Sequence, residues 1–269
     1  MFFLTGDKGA CELNPNVKAD AVYITHWGLT VPWAFMGREA VYEPTRVFPM
    51  APCHNVRGVA APPYLGGQTR AQVELWMRSD RAAEQMTYKY QLSFAGSIWG
   101  VSTAFEAPTA LANDSRTWPK NPHAVGVAWY SQRVRQLVYL HHRHRDGFLI
   151  QPTAADGVMS ASRFCLAPSG DGWGIRLVKV ILSGCVPLII QPSVALPFND
   201  ILNYTTFALI LQPEDIPNLH TILAQISPQQ HTLLRMGLER NWKAFSYDSP
   251  GIAYDLIVES LRRRALTTK

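Results

Sequence analysis

Three glycines at alternate positions, Gly170, Gly172 and Gly174, separate a strand-like run, RFCLAP, from a helix-like run that starts near Ile175. Backbone without Cβ atoms lets a ligand come close, and the free N–H groups at the start of a following helix point at an anion. Arg176, within the first turn, can pair with an oxygen of the same anion. The chemistry this arrangement suits is the holding of a phosphate or diphosphate. An ordinary strand-to-helix turn followed by a solvated first-turn cation is an equally open reading. The spacing is neither the dinucleotide fingerprint nor the GxxxxGK[ST] phosphate loop.

The elements that must position this loop come in a regular order from residue 162 onward. RFCLAP leads through the glycines to a helix over 175–183, then to the strand VPLII and the strand FALIL. Helices follow over 215–226, 228–245 and 251–266. Strands that alternate with helices predict a parallel α/β sheet with right-handed crossovers. Upstream, strands are expected at 21–25, 56–60, 90–96 and 148–151, and helices at 69–84 and 131–144. Residues 97–128 have no periodicity and read as a long loop or insertion.

Composition narrows the function classes. With 47% hydrophobic and 17% charged residues the chain is globular, and its 269 residues allow one large domain or two modest ones. The net charge of +5 is spread along the chain apart from HHRHR at 141–145. A dispersed excess suits an anionic small molecule or polymer. No nucleic-acid-binding signature accompanies it, so nucleic acid is not expected as a partner. No apolar run is long enough to span a bilayer, and the first residues do not read as a leader. Any membrane anchor is therefore expected upstream, in a longer protein.

Cys165 and Cys185 stand at the ends of two expected strands, where a disulfide and two buried thiols are both open readings. Asn113-Asp114-Ser115 and Asn203-Tyr204-Thr205 are N-glycosylation triplets. The histidines of 141–145 suit a solvated helix end better than a metal site. Among the eight tryptophans, Trp27, Trp33 and Trp173 are the candidates for stacking on sugars, with core packing as the alternative.

Taken whole, SRFCLAPSGDGWGIRLVKVILSGCVPLIIQPSVALPFNDILNYTTFALIL resembles the C-terminal lobe signature of the exostosin family. The matching pieces are S-x-F-C-L-x-P-x-G, the following R-L, G-C-V-P-L-I-I, L-P-F-x-D-x-L and the F-A strand. Their order and spacing agree as well. Fainter similarity continues upstream in DKGAC, ITHWG, HNVRGVAAPP, LSFAG and SQRVR.

The resemblance implies an inverting glycosyltransferase of GT-B architecture, with a Rossmann-type parallel-sheet donor lobe and a partial second Rossmann-like lobe. The expected division is an acceptor-side lobe over 1–128 and a nucleotide-sugar lobe over 129–269. It further implies a UDP-sugar donor as substrate, with no cofactor, and a glycan or glycoprotein acceptor. Polysaccharide biosynthesis or protein glycosylation in a Golgi-membrane, lumenal setting follows, as does a homo- or hetero-oligomer with another glycosyltransferase. Arg135 and Arg176 are then the candidates for the diphosphate, with Gly170 and Gly174 giving backbone access. Ser162, Arg163, Phe164 and Cys165 are expected along the base or ribose side. The catalytic base should come from the other lobe, where Asp7, His26 and His54 are available.

One position departs from the family. Lys179 stands where many relatives carry an acidic residue able to hold the ribose hydroxyls. Lysine has no acceptor for those hydroxyls, although it can reach phosphate or a sugar carboxylate. Lys179 motivates a second reading, a non-catalytic exostosin-like subunit that supports an active partner. A third is an unrelated nucleotide-binding protein with a single doubly wound domain.

Overall fold

The computed structural model describes residues 2–4, 16, 21–30, 54–65, 88–98, 130–153, 157–170 and 174–267. The expected helix at 69–84, most of the 97–128 loop, and Asp7, Trp33, Gly172 and Trp173 lie outside the described residues.

Five parallel strands make the larger sheet: β5 (Tyr90–Ala95), β6 (Phe148–Gln151), β7 (Ser162–Leu166), β8 (Val186–Ile189) and β10 (Leu209–Ile210). Their spatial order is β10-β8-β7-β5-β6. Counted from β5, the chain builds one neighbour outward and then returns to add the remaining strands on the other side. That is the doubly wound order in which the winding direction reverses between β5 and β7. All four positions of β8 are buried, because helices cover both faces of a parallel sheet.

One face packs against helix α2 (Ile175–Leu182), which buries Leu177, Val178, Val180 and Ile181 together with Phe207, Trp242 and Phe245. The other packs against helix α1 (Val134–His142) through Val134, Leu137 and Val138, and against Leu219 and Leu223 of helix α3 (Leu219–Gln225). Each such side chain contributes roughly 1.5–3 kcal/mol relative to leaving it in water. Gly184 ends α2 at φ +70°, a conformation that excludes most side chains, and its N–H returns to the Ile181 carbonyl.

Several boundaries differ from the sequence expectation. The helix expected at 131–144 is preceded at Tyr130–Arg133 by a non-helical turn with left-handed Ser131 and Gln132, and is α-helical only from Val134. Pro217 breaks the helix expected at 215–226 into a 3-10 segment, Pro213–Asn218, and α3, since it lacks the N–H that would continue an α-helix. Helix α4 (Pro228–Asn241) also passes into a 3-10 turn, Trp242–Phe245.

Cys165 and Cys185 form a disulfide with Cα atoms 5.9 Å apart, which settles the open choice between bridge and free thiols. A bridge closing a loop of this length contributes about 3 kcal/mol.

A second parallel sheet, β1 (Phe2–Leu4), β2 (Tyr23–Thr25) and β4 (Gly58–Ala60), has the order β1-β2-β4. Two sheets rule out the single doubly wound domain. The strands do not follow the expected division at 128/129, because β5 lies in the second sheet between β6 and β7. The last helix, α5 (Ala253–Thr267), instead returns to the first sheet, where Ala253 and Ile257 pack with Ile24, Val59 and Ala61. A short antiparallel pair, β3 (Gly28–Leu29) with β9 (Val194–Ala195), joins the two halves.

Two buried histidines couple this packing to pH. His142 Nε2 donates to the Ile216 carbonyl at 2.6 Å and His231 Nε2 donates to the Arg163 carbonyl at 2.9 Å. Burial holds each ring at a pKa of about 4 against an ordinary 6.5, outweighing the opposing effect of its carbonyl partner. The unfolded chain takes up these protons at higher pH than the folded chain. The stability they bring is therefore present above the ordinary value and is lost as pH falls from about 6.5 toward 4. The urea midpoint should drop between about pH 7 and pH 5, and His231→Gln should make that slope shallower. A midpoint that does not move over this range would contradict the assignment.

Candidate functional site

In an open doubly wound sheet, ligands bind outside the carboxyl ends of the strands at the point where the winding reverses. Here that point lies between β5 and β7, and the loops leaving these strands carry Gly96–Ser97 and Ser169–Gly170. The glycine loop singled out from the sequence is the one after β7. Its described ends, Gly170 and Gly174, flank the entrance to α2.

Both arginines expected to hold a diphosphate meet at this place. The Arg135 guanidinium lies 5.3 Å from the centre of the Phe94 ring, and that of Arg176 lies 5.0 Å from the same centre. Arg135 is 6% exposed; its Nε donates to the Ser169 carbonyl at 3.0 Å and its Nη1 to the Ser97 carbonyl at 2.9 Å. It thereby ties together the two loops that form the crevice. Arg176, half-buried in the first turn of α2, fills the space over Gly96, where any Cβ would collide with its Nη2. Two cations gathered on one aromatic ring make this crevice favourable to an anion.

The backbone and the hydroxyls of the crevice agree with that reading. Ser131 and Gln132 have φ of +56° and +50°, a left-handed pair that non-glycine residues adopt at a strain of about 1–3 kcal/mol each. The Ser131 N–H reaches the Gly170 carbonyl at 3.0 Å. The side-chain oxygens of Ser131 and Ser169 are buried without a hydrogen-bond partner among the described residues. A buried hydroxyl is nearly always paired in a complete structure, so this pair suits a site that a polar ligand completes. Sequence reasoning missed Phe94, Ser131 and Ser169 as site residues. The signal lay in LSFAG, SQRVR and S-x-F-C-L-x-P-x-G, where roles were given to Arg135 and Gly170 but not to Phe94, Ser131 or Ser169.

Ser162, Arg163, Phe164 and Cys165 do not line a base or ribose pocket. They form β7 itself. Ser162 Oγ donates to the Val158 carbonyl, Phe164 and Cys165 are buried in the core, and Cys165 is disulfide-bonded. The Arg163 guanidinium donates to the carbonyls of Ile226 and Ser227, at the amino end of the sheet, away from the crevice. Alternation along a strand sends successive side chains into the two helix layers, which leaves none of these four for a ligand. Lys179 is exposed, one turn beyond Arg176 on α2, while Leu177, Val178 and Val180 face the core.

The first sheet brings a second wall. A pocket of about 460 Å³ is lined by Thr25 and His26 at the end of β2, Pro63 and Tyr64 after β4, and Tyr247, Asp248 and Tyr254 beside α5. Tyr247 stacks edge-on with Tyr64 and Tyr254 at centroid distances of 6.3 and 4.9 Å. Its hydroxyl donates to the Pro62 carbonyl, and burial pushes its pKa up to about 12. The Tyr64 hydroxyl reaches Asp248 Oδ2 at 3.4 Å. His26 belongs to both walls: it lines this pocket, and its backbone carbonyl is the nearest atom facing Gly174. His54, the other described candidate base, lies packed beside Gly28 and Gly58, edge-on to Tyr23, and burial lowers its pKa to about 4. Trp27 is core, at 2% exposed.

A doubly wound sheet with cations at its reversal point, faced by a second parallel sheet, defines the Rossmann-like GT-B class. The family model described as the Exostosin GT47 domain matches residues 77–226, more than half of the chain, and the chain belongs to the exostosin family. It is 34% identical over 146 residues to a probable glycosyltransferase of Arabidopsis thaliana, covering 51% of this chain and 28% of that protein. A probable beta-1,4-xylosyltransferase from the same plant is 28% identical over 145 residues, covering 51% and 35%. A probable glucuronoxylan glucuronosyltransferase, also from Arabidopsis thaliana, is 25% identical over 247 residues, covering 89% and 47%. The matched stretches thus span less than half the length of these curated relatives.

Arg135 should be the structural member of the arginine pair. Arg135→Met leaves two loop carbonyls without their charged donor and should lower stability by about 3 kcal/mol in urea unfolding. A loss below about 0.5 kcal/mol would show that Arg135 does not hold the crevice together.

Proposed function

We propose that this protein transfers a sugar from a UDP-sugar to a glycan acceptor with inversion, in the lumen of the Golgi. The observation that carries the reading is the meeting of Arg135 and Arg176 on Phe94 at the reversal point of the sheet, in a chain of the exostosin family. The printed names of the relatives, xylosyl- and glucuronosyltransferases among them, support sugar transfer as the reaction. The Cys165–Cys185 disulfide supports an oxidising compartment. No helix among the described residues is long and apolar enough to cross a membrane.

In this reading the chain holds the leaving diphosphate. Negative charge grows on it as the glycosidic bond breaks, and Arg176 with the amides entering α2 stabilises that charge more in the transition state than in the bound donor. Ser131 and Ser169 offer hydroxyls to the same ligand. The tyrosine-lined pocket receives the acceptor, whose sugar faces stack on aromatic rings. Of the candidate bases, His26 lines this pocket and its backbone carbonyl faces Gly174, which supports it as the base for the acceptor hydroxyl. The donor is the only small molecule the scheme requires, and pairing with another glycosyltransferase is compatible with it.

Lys179 favours a second reading, a non-catalytic subunit, because an exposed cation stands at the point of α2 where the family resemblance implies an acidic residue. Calorimetric titration of UDP into the full chain separates the two. The parent should bind UDP, and Arg176→Ala should weaken binding roughly 10-fold or more, as removal of a charge-assisted contact does. Lys179→Glu should not strengthen it. Absence of UDP binding by the parent, with binding gained in Lys179→Glu, would overturn the catalytic reading in favour of the subunit.

A further inference from the structure

We infer that Asn203 is an N-glycosylation site, modified by an oligosaccharide carried on a lipid pyrophosphate. The triplet Asn203-Tyr204-Thr205 has the acceptor sequence, and its geometry suits the reaction. Asn203 is exposed at the start of a 3-10 turn, Tyr204–Thr206. Its Oδ1 accepts from the Thr205 N–H at 3.2 Å and from Thr205 Oγ1 at 2.7 Å. Both contacts use the oxygen, so Nδ2 keeps clear of hydrogen bonds among the described residues. Tyr204, 4% exposed, anchors the turn from inside, its hydroxyl donating to the Pro197 carbonyl at 2.7 Å. The middle residue is buried and the acceptor residue points to solvent, so the native fold accommodates a bulky substituent at Asn203.

The surroundings are compatible as well. The turn leads into β10, the edge strand, two strands away from β7 and the donor crevice. The Cys165–Cys185 bridge independently supports passage through an oxidising lumen. In the reaction, Nδ2 of Asn203 bonds to C1 of the first sugar. The bond from C1 to the pyrophosphate oxygen breaks, the lipid pyrophosphate departs, and the amide gives up one proton. Thr205 Oγ1, donating to Oδ1, polarises the amide toward this step. The inference rests on the lumenal placement proposed above and not on sugar transfer by this chain.

The test directs the full chain into the lumen of a eukaryotic cell with a cleavable leader, then treats it with peptide N-glycosidase in heavy-oxygen water before peptide mass spectrometry. Asn203 should be converted to a heavy-oxygen-labelled aspartate. Thr205→Ala should abolish the label, and Thr205→Ser should retain it at lower occupancy. An unmodified Asn203 in chains whose Cys165–Cys185 bond has formed would overturn the inference, since the bond reports that the chain reached the lumen. UDP affinity should be equal in the parent and in Asn203→Gln, so a failure of UDP binding leaves this result readable by itself.

Discussion

A parallel sheet delivers its loops to one edge but does not hold them in place there. In this protein a buried guanidinium does so: Arg135 donates to Ser97 after β5 and to Ser169 after β7, at the one place where the winding of the sheet reverses. Without Arg135 the carbonyl of buried Ser169 would lose a charged donor, which is costly for backbone oxygen. The same side chain lies over Phe94, beside the region Arg176 occupies. The crevice, its charge and the entrance to α2 therefore depend on Arg135 being held, and the left-handed turn at Ser131–Gln132 is where the backbone bends to place it.

A comparable clasp fastens α5 and the segment after β9 to the first sheet. Asp200, in the segment after β9, accepts from Arg264 Nη1 at 2.7 Å and from Ser260 Oγ at 3.2 Å, while Arg264 Nε also donates to the Gly58 carbonyl in β4. One arginine of α5 thus ties β4 to the segment after β9. Exposed ion pairs contribute little, but this one is partly covered and shares its donors with backbone, which gives it direction.

The second sheet was legible in the sequence because its signals are local. The apolar runs of β7 and β8, the proline opening α4 and the glycine closing α2 each announce their element without reference to the rest of the chain. In the first half, β2 and β4 fall within the strands expected at 21–25 and 56–60, whereas β1 went unread and the pairing of these short strands, distant in sequence, was not legible. The assignment of β5 failed for a related reason. Nothing within YQLSFAG tells which sheet it joins, and the long insertion after it suggested a boundary that the pairing with β6 and β7 contradicts. For the site, Arg176 was readable from the glycine loop it follows, and Arg135 only through the family resemblance. Their convergence on Phe94 was not, since it depends on two loops and two helices meeting. Ser162, Arg163, Phe164 and Cys165 were misplaced because a motif marks a fold as readily as it marks a ligand contact, and in β7 it marks the core.

The central claim is that the crevice between β5 and β7 is where a nucleotide diphosphate is held. A crystal structure of the full chain grown with UDP tests it most directly. The account predicts the diphosphate against the Arg176 guanidinium and the amides after Gly174, with the Ser131 or Ser169 hydroxyl within hydrogen-bond distance. UDP seated elsewhere, with Arg176 still over Phe94 and the two serine hydroxyls unengaged, would contradict it.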